Sequence, residues 1–245
     1  MANILIIGAT SAIAHAAARH FAAEGARFFL VGRSTGKLDA VRDDLRVCGA
    51  EEADAYTLDL TDIAGHAAML DAATAALGTL DMVLIAHGSL GDQAACEASV
   101  ATTMDEWMTN CTSVIALLTL LANQFERQRH GTIAVMSSVA GDRGRKSLYV
   151  YGAAKAALDT FLEGLRGRLA AAGVAVVAIK PGLVDTPMTA HLPKNFLFAS
   201  PERVARDVHR AMVRGAAVVY TPWFWRYVML LVRAIPDPIF RKLPI

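Results

Sequence analysis

The chain has 245 residues, of which 54% are hydrophobic and 19% are charged, and its formal net charge is +1 at pH 7. This length and polarity predict a single globular domain with one substantial core. The near-neutral charge, with no basic block, argues against nucleic acid as a partner. The three cysteines are widely spaced and the seven histidines show no metal-ligand spacing. No charge-free apolar run approaches about 20 residues, so we expect a cytoplasmic protein without disulfides, a bound metal or a membrane span.

The first predicted strand leads into a turn of small residues and then into a helix. Asn3–Ile7 is short and apolar, the sequence GATSAIA follows, and a helix is predicted to about residue 24. In a parallel sheet this arrangement binds a phosphate on the backbone N–H groups of a helix N-terminus. Gly8 is the only expected glycine present, because Ala12 and Ala14 occupy the other two positions. Taken alone, the motif could equally be an ordinary turn between a strand and a helix.

The second and third predicted strands are each followed by a polar residue. The second covers Arg27–Gly32 and precedes Arg33, at a place where an acidic residue would hold a ribose 2′-hydroxyl. A basic residue there suits the 2′-phosphate of NADP instead, and a solvated loop arginine is the plainer alternative. The third strand is predicted over Ala53–Asp59. Asp59 and Leu60 then stand where an adenine edge would lie.

The remaining predicted elements continue the alternation of strands and helices. Helices are predicted over about 63–77 and 100–129 and after Tyr149, and strands over 80–86, 131–138, 174–180 and 217–221. This alternation predicts an α/β fold, a doubly wound parallel sheet of the Rossmann type with about seven strands and helices on both faces. Right-handed crossovers bring all strand C-termini to one edge, where such sheets bind ligands. Six residues follow those C-termini: Gly8, Arg33, Asp59, Gly88, Ser138 and Pro181.

One stretch, residues 137–155, carries the strongest chemical signal. It holds Ser138, then Tyr151 thirteen positions later, and Lys155 four positions after the tyrosine. Residues i and i+4 share a helix face, so Tyr151 and Lys155 are predicted neighbours. A lysine beside a phenol favours the phenolate, which predicts a Tyr151 pKa lowered toward neutral pH and a side chain able to exchange a proton. The alternative is that this is an ordinary helix, in which the tyrosine and the lysine lie on successive turns without a catalytic role.

Taken together, these motifs resemble the short-chain dehydrogenase/reductase family over essentially the whole chain. The resemblance is carried by Gly8, Ala12, Ala14, Asp59, Asn110, Ser138, Tyr151, Lys155, Pro181 and Gly182, in the family's order and spacing. It implies an NAD(P)-dependent carbonyl reductase or alcohol dehydrogenase that transfers a hydride between the nicotinamide and a ketone. It also implies a homodimer or homotetramer built on the helices predicted over 100–129 and 149–172.

The resemblance implies a role for each of four catalytic residues. Tyr151 would donate a proton to the carbonyl oxygen, and Ser138 would hydrogen-bond the same oxygen. Lys155 would lower the tyrosine pKa and hold the nicotinamide ribose, and Asn110 would anchor a water that links Lys155 to solvent. For Asn110, a poor helix former inside a predicted helix, a satisfied polar contact in the core is the alternative explanation.

The implied cofactor is NADP, with NAD as the alternative. The implied contacts are Gly8, Thr10, Ser11, Ala12, Ile13, Arg33, Asp59, Leu60, Ala86, Gly88, Tyr151, Lys155, Pro181, Gly182, Val184 and Thr186. The sequence departs from the family pattern at two places. The turn lacks two glycines, and the Asn-Ala-Gly expected after the fourth strand is Ala86-His87-Gly88, so a bracing asparagine is missing. Both departures concern loop geometry and leave the four catalytic residues intact.

Four blocks, residues 86–93, 138–145, 181–190 and 224–245, are similar to a narrower group, the decaprenylphosphoryl 2-keto-ribose 2-reductases. That similarity implies a keto-sugar on a lipid carrier as substrate. A reductase of another ketone class, such as 3-oxoacyl thioesters, is an alternative. A non-catalytic dinucleotide-binding regulator is a second alternative, which the intact catalytic residues disfavour.

A C-terminal segment, residues 223–245, is predicted to follow the Rossmann domain of residues 1–222. Aromatic residues and leucines alternate there with Arg226, Arg233, Arg241 and Lys242, and Pro236 ends the helix too early for a membrane span. This composition fits an amphipathic helix that lies in a membrane interface. Such a helix would attach the protein peripherally to a membrane, or the main function of the protein would be at the membrane surface. Packing on a neighbouring subunit or covering the substrate cleft is the alternative.

Overall fold

The computed structural model describes residues 1–243 and contains a seven-stranded parallel sheet. The strands are Asn3–Ile7 (β1), Arg27–Gly32 (β2), Glu52–Thr57 (β3), Met82–Ile85 (β4), Thr132–Met136 (β5), Ala175–Pro181 (β6) and Val218–Thr221 (β7). Their order in the sheet is β3-β2-β1-β4-β5-β6-β7, and every neighbouring pair is parallel. The predicted doubly wound sheet is therefore confirmed. The strand order reverses at β1 and β4, which is where such sheets bind ligands.

Helices cover both faces of the sheet. They are Ala12–Ala22 (α1), Thr35–Val47 (α2), His66–Leu77 (α3), Gln93–Ala98 (α4), Val100–Trp107 (α5), Ser113–Gln128 (α6), Tyr149–Ala170 (α7), Pro201–Arg214 (α8), Trp225–Ala234 (α9) and Asp237–Phe240 (α10). Leu5 and Ile7 of β1 pack with α3, α6 and α7 on one face, while Ile4 and Ile6 pack with α1, α2 and α8 on the other. The central strands are buried on both faces, which explains their continuous apolar sequences.

The long helix predicted over residues 100–129 is interrupted. A turn of π-helix, Met108–Thr112, separates α5 from α6, and the N–H of Ser113 donates to the carbonyl of Met108 five residues earlier. Asn110 lies in this turn. Single π-helical turns inside α-helices are frequent at functional sites. The position of Asn110 in this turn therefore agrees with a functional role for its side chain. The strands also end earlier than predicted, since β3 ends at Thr57 and β5 at Met136.

The C-terminal segment packs on the domain. Trp225, Met229 and Phe240 are buried. The Arg143 guanidinium donates to the carbonyls of Val232, in the last turn of α9, and Ile235, just after it, at 2.6 Å each, and lies 3.7 Å from the centre of the Phe240 ring. Residues 244 and 245, the end of the predicted segment, lie outside the described residues. Within residues 1–243, no helix has the length and apolarity needed to cross a membrane.

Candidate active site

A cleft of about 770 Å³ lies at the carboxyl edge of the sheet. The structure brings all four predicted catalytic residues to its walls: Asn110, Ser138, Tyr151 and Lys155. Ten of the predicted cofactor contacts also line it: Ser11, Ile13, Ala86, Gly88, Tyr151, Lys155, Pro181, Gly182, Val184 and Thr186. The other six do not: Gly8, Thr10, Ala12, Arg33, Asp59 and Leu60. A volume of this size suits a small ligand together with part of a cofactor.

Two elements present the serine, the tyrosine and the lysine to the cleft. Ser138 follows β5, and its hydroxyl accepts from the N–H of Ala140 at 3.1 Å, which starts a short 3-10 turn, Val139–Asp142. Tyr151 and Lys155 lie one turn apart near the start of α7. The Lys155 ammonium is buried, donates to the Met136 carbonyl at 3.0 Å and lies 5.6 Å from the centre of the Tyr151 ring. Tyr151 and Lys155 are therefore neighbours, as predicted.

The acidity of Tyr151 differs from the prediction. Burial raises the pKa of Tyr151 to about 12, and the neighbouring Ser138 hydroxyl and Arg145 guanidinium only partly oppose that rise. Burial also lowers the pKa of Lys155 to about 8, and its ammonium bonds to a backbone carbonyl rather than to the phenol. The prediction of a Tyr151 pKa near neutral pH is therefore wrong. With its pKa raised, the phenol keeps its proton at pH 7, and its role as proton donor stays a prediction.

Asn110 is held by two residues that the sequence did not single out. Its carbonyl oxygen accepts from the Ser89 N–H at 3.1 Å, and its amide donates to Ser89 Oγ at 3.1 Å and Glu106 Oε2 at 3.0 Å. The Ser89 hydroxyl in turn donates to Glu106 Oε2 at 2.7 Å. This closed set of bonds fixes the Asn110 side chain beside the cleft. The water implied at Asn110 stays a prediction.

His87 braces the loop that lacks the expected asparagine. Its Nε2 lies 3.0 Å from Ser113 Oγ, and that hydroxyl donates to the Thr109 carbonyl at 3.1 Å. Burial lowers the pKa of His87 to about 3, so the ring is neutral and Nε2–H donates to Ser113. Gly8 packs against the same loop and has a φ of +83°. A Cβ atom added to Gly8 would lie 2.5 Å from the backbone nitrogen of His87, so the site has no room for a side chain. This close approach explains why the turn keeps its first glycine.

The turn after β1 has the features of a phosphate cradle. Helix α1 begins at Ala12, and the Ser11 side chain makes no capping hydrogen bond. Within the described residues, the first N–H groups of α1 therefore lack a side-chain partner. Ser11 and Ile13 both line the cleft. A helix N-terminus of this kind binds anionic groups, so the residues fit the pyrophosphate of a dinucleotide although two glycines are absent.

The residues predicted for the adenosine lie beyond the cleft, on the same edge of the sheet. Arg33 is exposed just after β2. The Asp59 carboxylate accepts from the N–H and hydroxyl of Thr61 at 3.0 and 2.8 Å, and these bonds, aided by the Arg33 charge, lower the Asp59 pKa. Leu60 is buried, and its carbonyl lies 2.9 Å from the His66 ring.

A buried ionic cluster lies next to Lys155, and the sequence analysis missed it. The Ser137 hydroxyl donates to Asp159 Oδ1 at 2.6 Å, and the Lys180 ammonium pairs with Asp159 Oδ2 at 2.9 Å and with Asp142. The cluster joins α7 to the ends of β5 and β6. The Asp159 charge partly opposes the burial that lowers the Lys155 pKa. Its position, four residues after Lys155, was the available signal for this partnership.

Trp225 of the C-terminal segment forms part of the cleft wall. It is 7% exposed and lines the cleft, and a Cβ added to Gly182 would overlap its Nε1. The C-terminal helix therefore contributes to the site where the nicotinamide contacts were predicted. No sequence spacing pointed to this contact, because the two residues lie in separate elements.

A parallel sheet with a protonated tyrosine, a serine and a lysine around a cleft at its carboxyl edge defines a dinucleotide-dependent oxidoreductase. The family model described as short chain dehydrogenase matches residues 2–196. The chain belongs to this family and is an oxidoreductase of the short-chain type.

Similar proteins cover almost the whole chain. An uncharacterized oxidoreductase of Mycobacterium tuberculosis is 36% identical over 243 residues, which are 99% of this chain and 97% of the relative. A second uncharacterized oxidoreductase, from Streptomyces coelicolor, is 36% identical over 242 residues, 98% of this chain and 95% of its own. Among solved structures, a tryptophan variant of the actinorhodin polyketide ketoreductase with NADPH has a TM-score of 0.81 at 23% identity, covering 91% of this chain and 97% of that chain. This last similarity concerns the fold.

Proposed function

We propose that the protein is an NADPH-dependent carbonyl reductase and that its ketone is a keto-sugar on a lipid carrier. The observation that carries the reaction is the protonated Tyr151 phenol beside Ser138 in the wall of the cleft. A buried phenol that keeps its proton is suited to donate it to an oxygen that gains negative charge. Reduction of a ketone needs such a proton donor beside the carbonyl oxygen.

Each catalytic residue then has a defined task. Tyr151 donates its proton to the carbonyl oxygen, and the Ser138 hydroxyl donates a hydrogen bond to that oxygen as charge develops on it. Bound NADPH supplies the hydride. The Lys155 ammonium uses one N–H on Met136 and has two others for the ribose hydroxyls. Ser89 and Glu106 hold Asn110 in place beside the cleft.

The proposed preference for NADPH rests on Arg33. Its guanidinium is exposed just past β2 and has no acidic or carbonyl partner within residues 1–243. No acidic residue stands at the end of β2, where one would hold the 2′-hydroxyl of NAD. Gly8, Thr10, Ser11, Ala12 and Ile13 form the turn proposed to hold the pyrophosphate.

The apolar character of the cleft supports the proposed lipid carrier. Leu148, Leu183, Met188, Leu192 and Trp225 line it. On the loop that also carries Met188, Phe196 is 92% exposed. A free sugar would not need so much apolar surface beside the reacting carbon, whereas a polyprenyl chain would.

A substrate panel tests the proposed function. The full chain is incubated with NADPH and each of three ketones: a 2-keto pentose on a polyprenyl phosphate, the same keto-sugar without the lipid, and a 3-oxoacyl thioester. The proposal predicts the highest kcat/KM for the lipid-linked keto-sugar. A higher value for the thioester would overturn the substrate assignment and favour an acyl reductase, while leaving the reaction class in place.

We further propose that the outer face of α9 contacts a membrane. Trp223, Tyr227, Leu230 and Leu231 recur at helical spacing and are 58–70% exposed. Exposed arginines flank this face at positions 226 and 233. Aromatic and leucine side chains beside arginines are typical of helices that lie in the interface of anionic membranes.

Replacing Leu230 and Leu231 together by glutamate tests this contact and leaves Trp225 in the cleft wall. Co-sedimentation with vesicles containing anionic lipid should be lost in the double variant. The control is Val213→Glu, which changes an apolar residue on α8 that is also more than half exposed and should keep binding. Absence of vesicle binding by the unaltered protein would overturn the membrane contact.

The proposed homodimer or homotetramer has support on α5 and α7. Val100 and Met104 of α5 and Tyr149 of α7 are 81%, 53% and 46% exposed, and apolar side chains of this kind are buried when such helices pair. Light scattering on the full chain should give two or four times the chain mass of 26.1 kDa. A monomer across the concentration range would overturn this assembly.

A further inference from the structure

One cation in the cleft, the Arg145 guanidinium, has no partner within residues 1–243. Arg145 follows the 3-10 turn Val139–Asp142, lines the cleft and acts electrostatically on Tyr151. Among the arginines of residues 1–243 that are not fully exposed, only the Arg145 guanidinium makes neither an ion pair nor a hydrogen bond. The others bind carboxylates or backbone carbonyls: Arg27, Arg42, Arg143 and Arg166.

Three acidic residues around the cleft, Asp92, Glu106 and Asp142, are engaged elsewhere. Asp142 pairs with Lys180 and accepts from the Tyr220 hydroxyl at 2.8 Å. Asp92, which lines the same cleft, caps α4 by accepting from two backbone N–H groups at 2.9 and 3.2 Å. Glu106 holds Asn110. The positive charge of Arg145 is therefore uncompensated by the described protein.

An uncompensated, partly buried cation favours an anionic ligand. Burial lowers the pKa of Arg145, which means that the site disfavours the bare charge, yet a guanidinium stays charged in proteins. A phosphate or carboxylate that binds the guanidinium fork through two oxygens would compensate the charge and use both N–H donors. Since Arg145 and Tyr151 line one cleft, such an anion would belong to the molecule whose carbonyl Tyr151 protonates.

We propose that Arg145 forms a subsite for an oxyanionic substituent, a phosphate ester or a carboxylate, on the ketone substrate. This inference rests on the proposed function and adds a recognition group for the substrate. It makes Arg145 a specificity-determining residue, distinct from Arg33, which lies outside the cleft and is proposed to face the nucleotide. A ketone that lacks the anion would leave the guanidinium unpaired and would bind more weakly.

Two pairs of matched ketones test the subsite. Dihydroxyacetone phosphate is compared with dihydroxyacetone, and levulinate with methyl levulinate, using NADPH and the full chain. The unaltered protein should show a higher kcat/KM for the charged member of at least one pair. In Arg145→Gln that charged-to-neutral ratio should fall by about 10- to 100-fold, the usual value of a charge-assisted contact. Arg145→Lys should retain part of the preference, because it keeps the charge and loses the fork.

Lys146→Gln is the matched control, since it removes an exposed positive charge next to Arg145 and should keep the ratio. The pair with the larger preference tells whether phosphate or carboxylate is recognised. Equal kcat/KM for charged and neutral members in the unaltered protein would overturn the subsite. So would an equal loss for both members in Arg145→Gln, which would show that Arg145 acts on Tyr151 instead.

A binding measurement separates failure of this inference from failure of the proposed function. If none of the four ketones is reduced, calorimetric titration of the same compounds into the full chain with NADP bound still reports their affinities. Tighter binding of a charged member that disappears in Arg145→Gln would support the subsite without any turnover, and the reductase proposal would then be decided by the substrate panel alone. Equal affinities for charged and neutral members would overturn the subsite.

Discussion

The two ends of the proposed cofactor site differ in how firmly their residues are held. At the catalytic end, Asn110 and Lys155 are buried and their polar groups bind Ser89, Glu106 and Met136. At the adenosine end, the Thr10 and Arg33 side chains are exposed and make no hydrogen bond within residues 1–243. In the proposed function, proton transfer thus depends on side chains that the fold holds in place, whereas the choice between NADPH and NADH depends on exposed side chains without such bonds.

The largest effect is expected at the catalytic end, from Tyr151→Phe. Removing the phenol hydroxyl removes the proton donor, so kcat should fall by about 10²- to 10⁴-fold, while NADPH affinity should change by less than about twofold. Steady-state kinetics and a binding titration measure the two quantities. Tyr149→Phe, on the exposed side of the same helix, is the control and should keep full turnover. Near-full turnover in Tyr151→Phe would refute the assignment of the acid.

A smaller effect is expected at the adenosine end, from Arg33→Asp. Losing a charge-assisted contact to the 2′-phosphate costs about 1.5–3 kcal/mol, so the preference for NADPH over NADH should reverse. Because the Arg33 side chain makes no ion pair or hydrogen bond within residues 1–243 and only adds to the charge environment of Asp59, the melting temperature should change little. Equal affinities for the two nucleotides, unaltered by the substitution, would contradict the role of Arg33.

Gly88→Ala tests how tightly the catalytic end is packed. An added Cβ would lie 2.8 Å from Asn110 Oδ1 and 3.7 Å from the Lys155 ammonium. Overpacking of this kind costs about 1–3 kcal/mol of stability and should also lower kcat through the displaced Asn110. Gly164→Ala on α7, where an added Cβ meets nothing within 4 Å, is the control for thermal unfolding. Equal melting temperatures for the two variants would show that the catalytic end is looser than described.

The smallest effect concerns pH. Lys155 carries its charge below its pKa of about 8 and loses it as the pH rises through that value. The charged form is the one that donates to the ribose hydroxyls, so NADPH affinity should fall by roughly three- to tenfold between pH 7 and 9. Lys155→Met should bind NADPH more weakly at all pH values and show no such dependence. A flat pH profile in the unaltered protein would remove Lys155 from cofactor binding.

Much of this architecture could be predicted from local patterns. The strands Asn3–Ile7 and Arg27–Gly32 have the predicted bounds because buried strands leave continuous apolar sequences. Tyr151 and Lys155 meet because i and i+4 residues of a helix always do. The pKa values of the two side chains could not be predicted. The Tyr151 pKa depends on burial by elements distant in sequence, and the Lys155 ammonium donates to the Met136 carbonyl instead of the phenol.

Other features depend on contacts between distant residues and leave no local pattern. The Trp225 indole occupies the space beside Gly182, which the periodicity of neither segment reveals. Arg145 is distinctive because its guanidinium has no partner within residues 1–243, while Asp92, Glu106 and Asp142 are bound elsewhere, and only the assembled cleft shows this. The π-helical turn at Asn110 was likewise hidden, because one added residue in a turn hardly alters a helical pattern.

The central claim, hydride transfer from NADPH to a ketone in this cleft, can be tested with an isotope. The full chain is incubated with NADPH that carries deuterium at the transferred position, together with the ketones of the substrate panel, and the alcohol is analysed by mass spectrometry. The account predicts one deuterium in each alcohol molecule, in amounts equal to the NADPH oxidised, and almost none with Tyr151→Phe. Tight NADPH binding without deuterated alcohol from any ketone would contradict it and indicate a nucleotide-binding regulator.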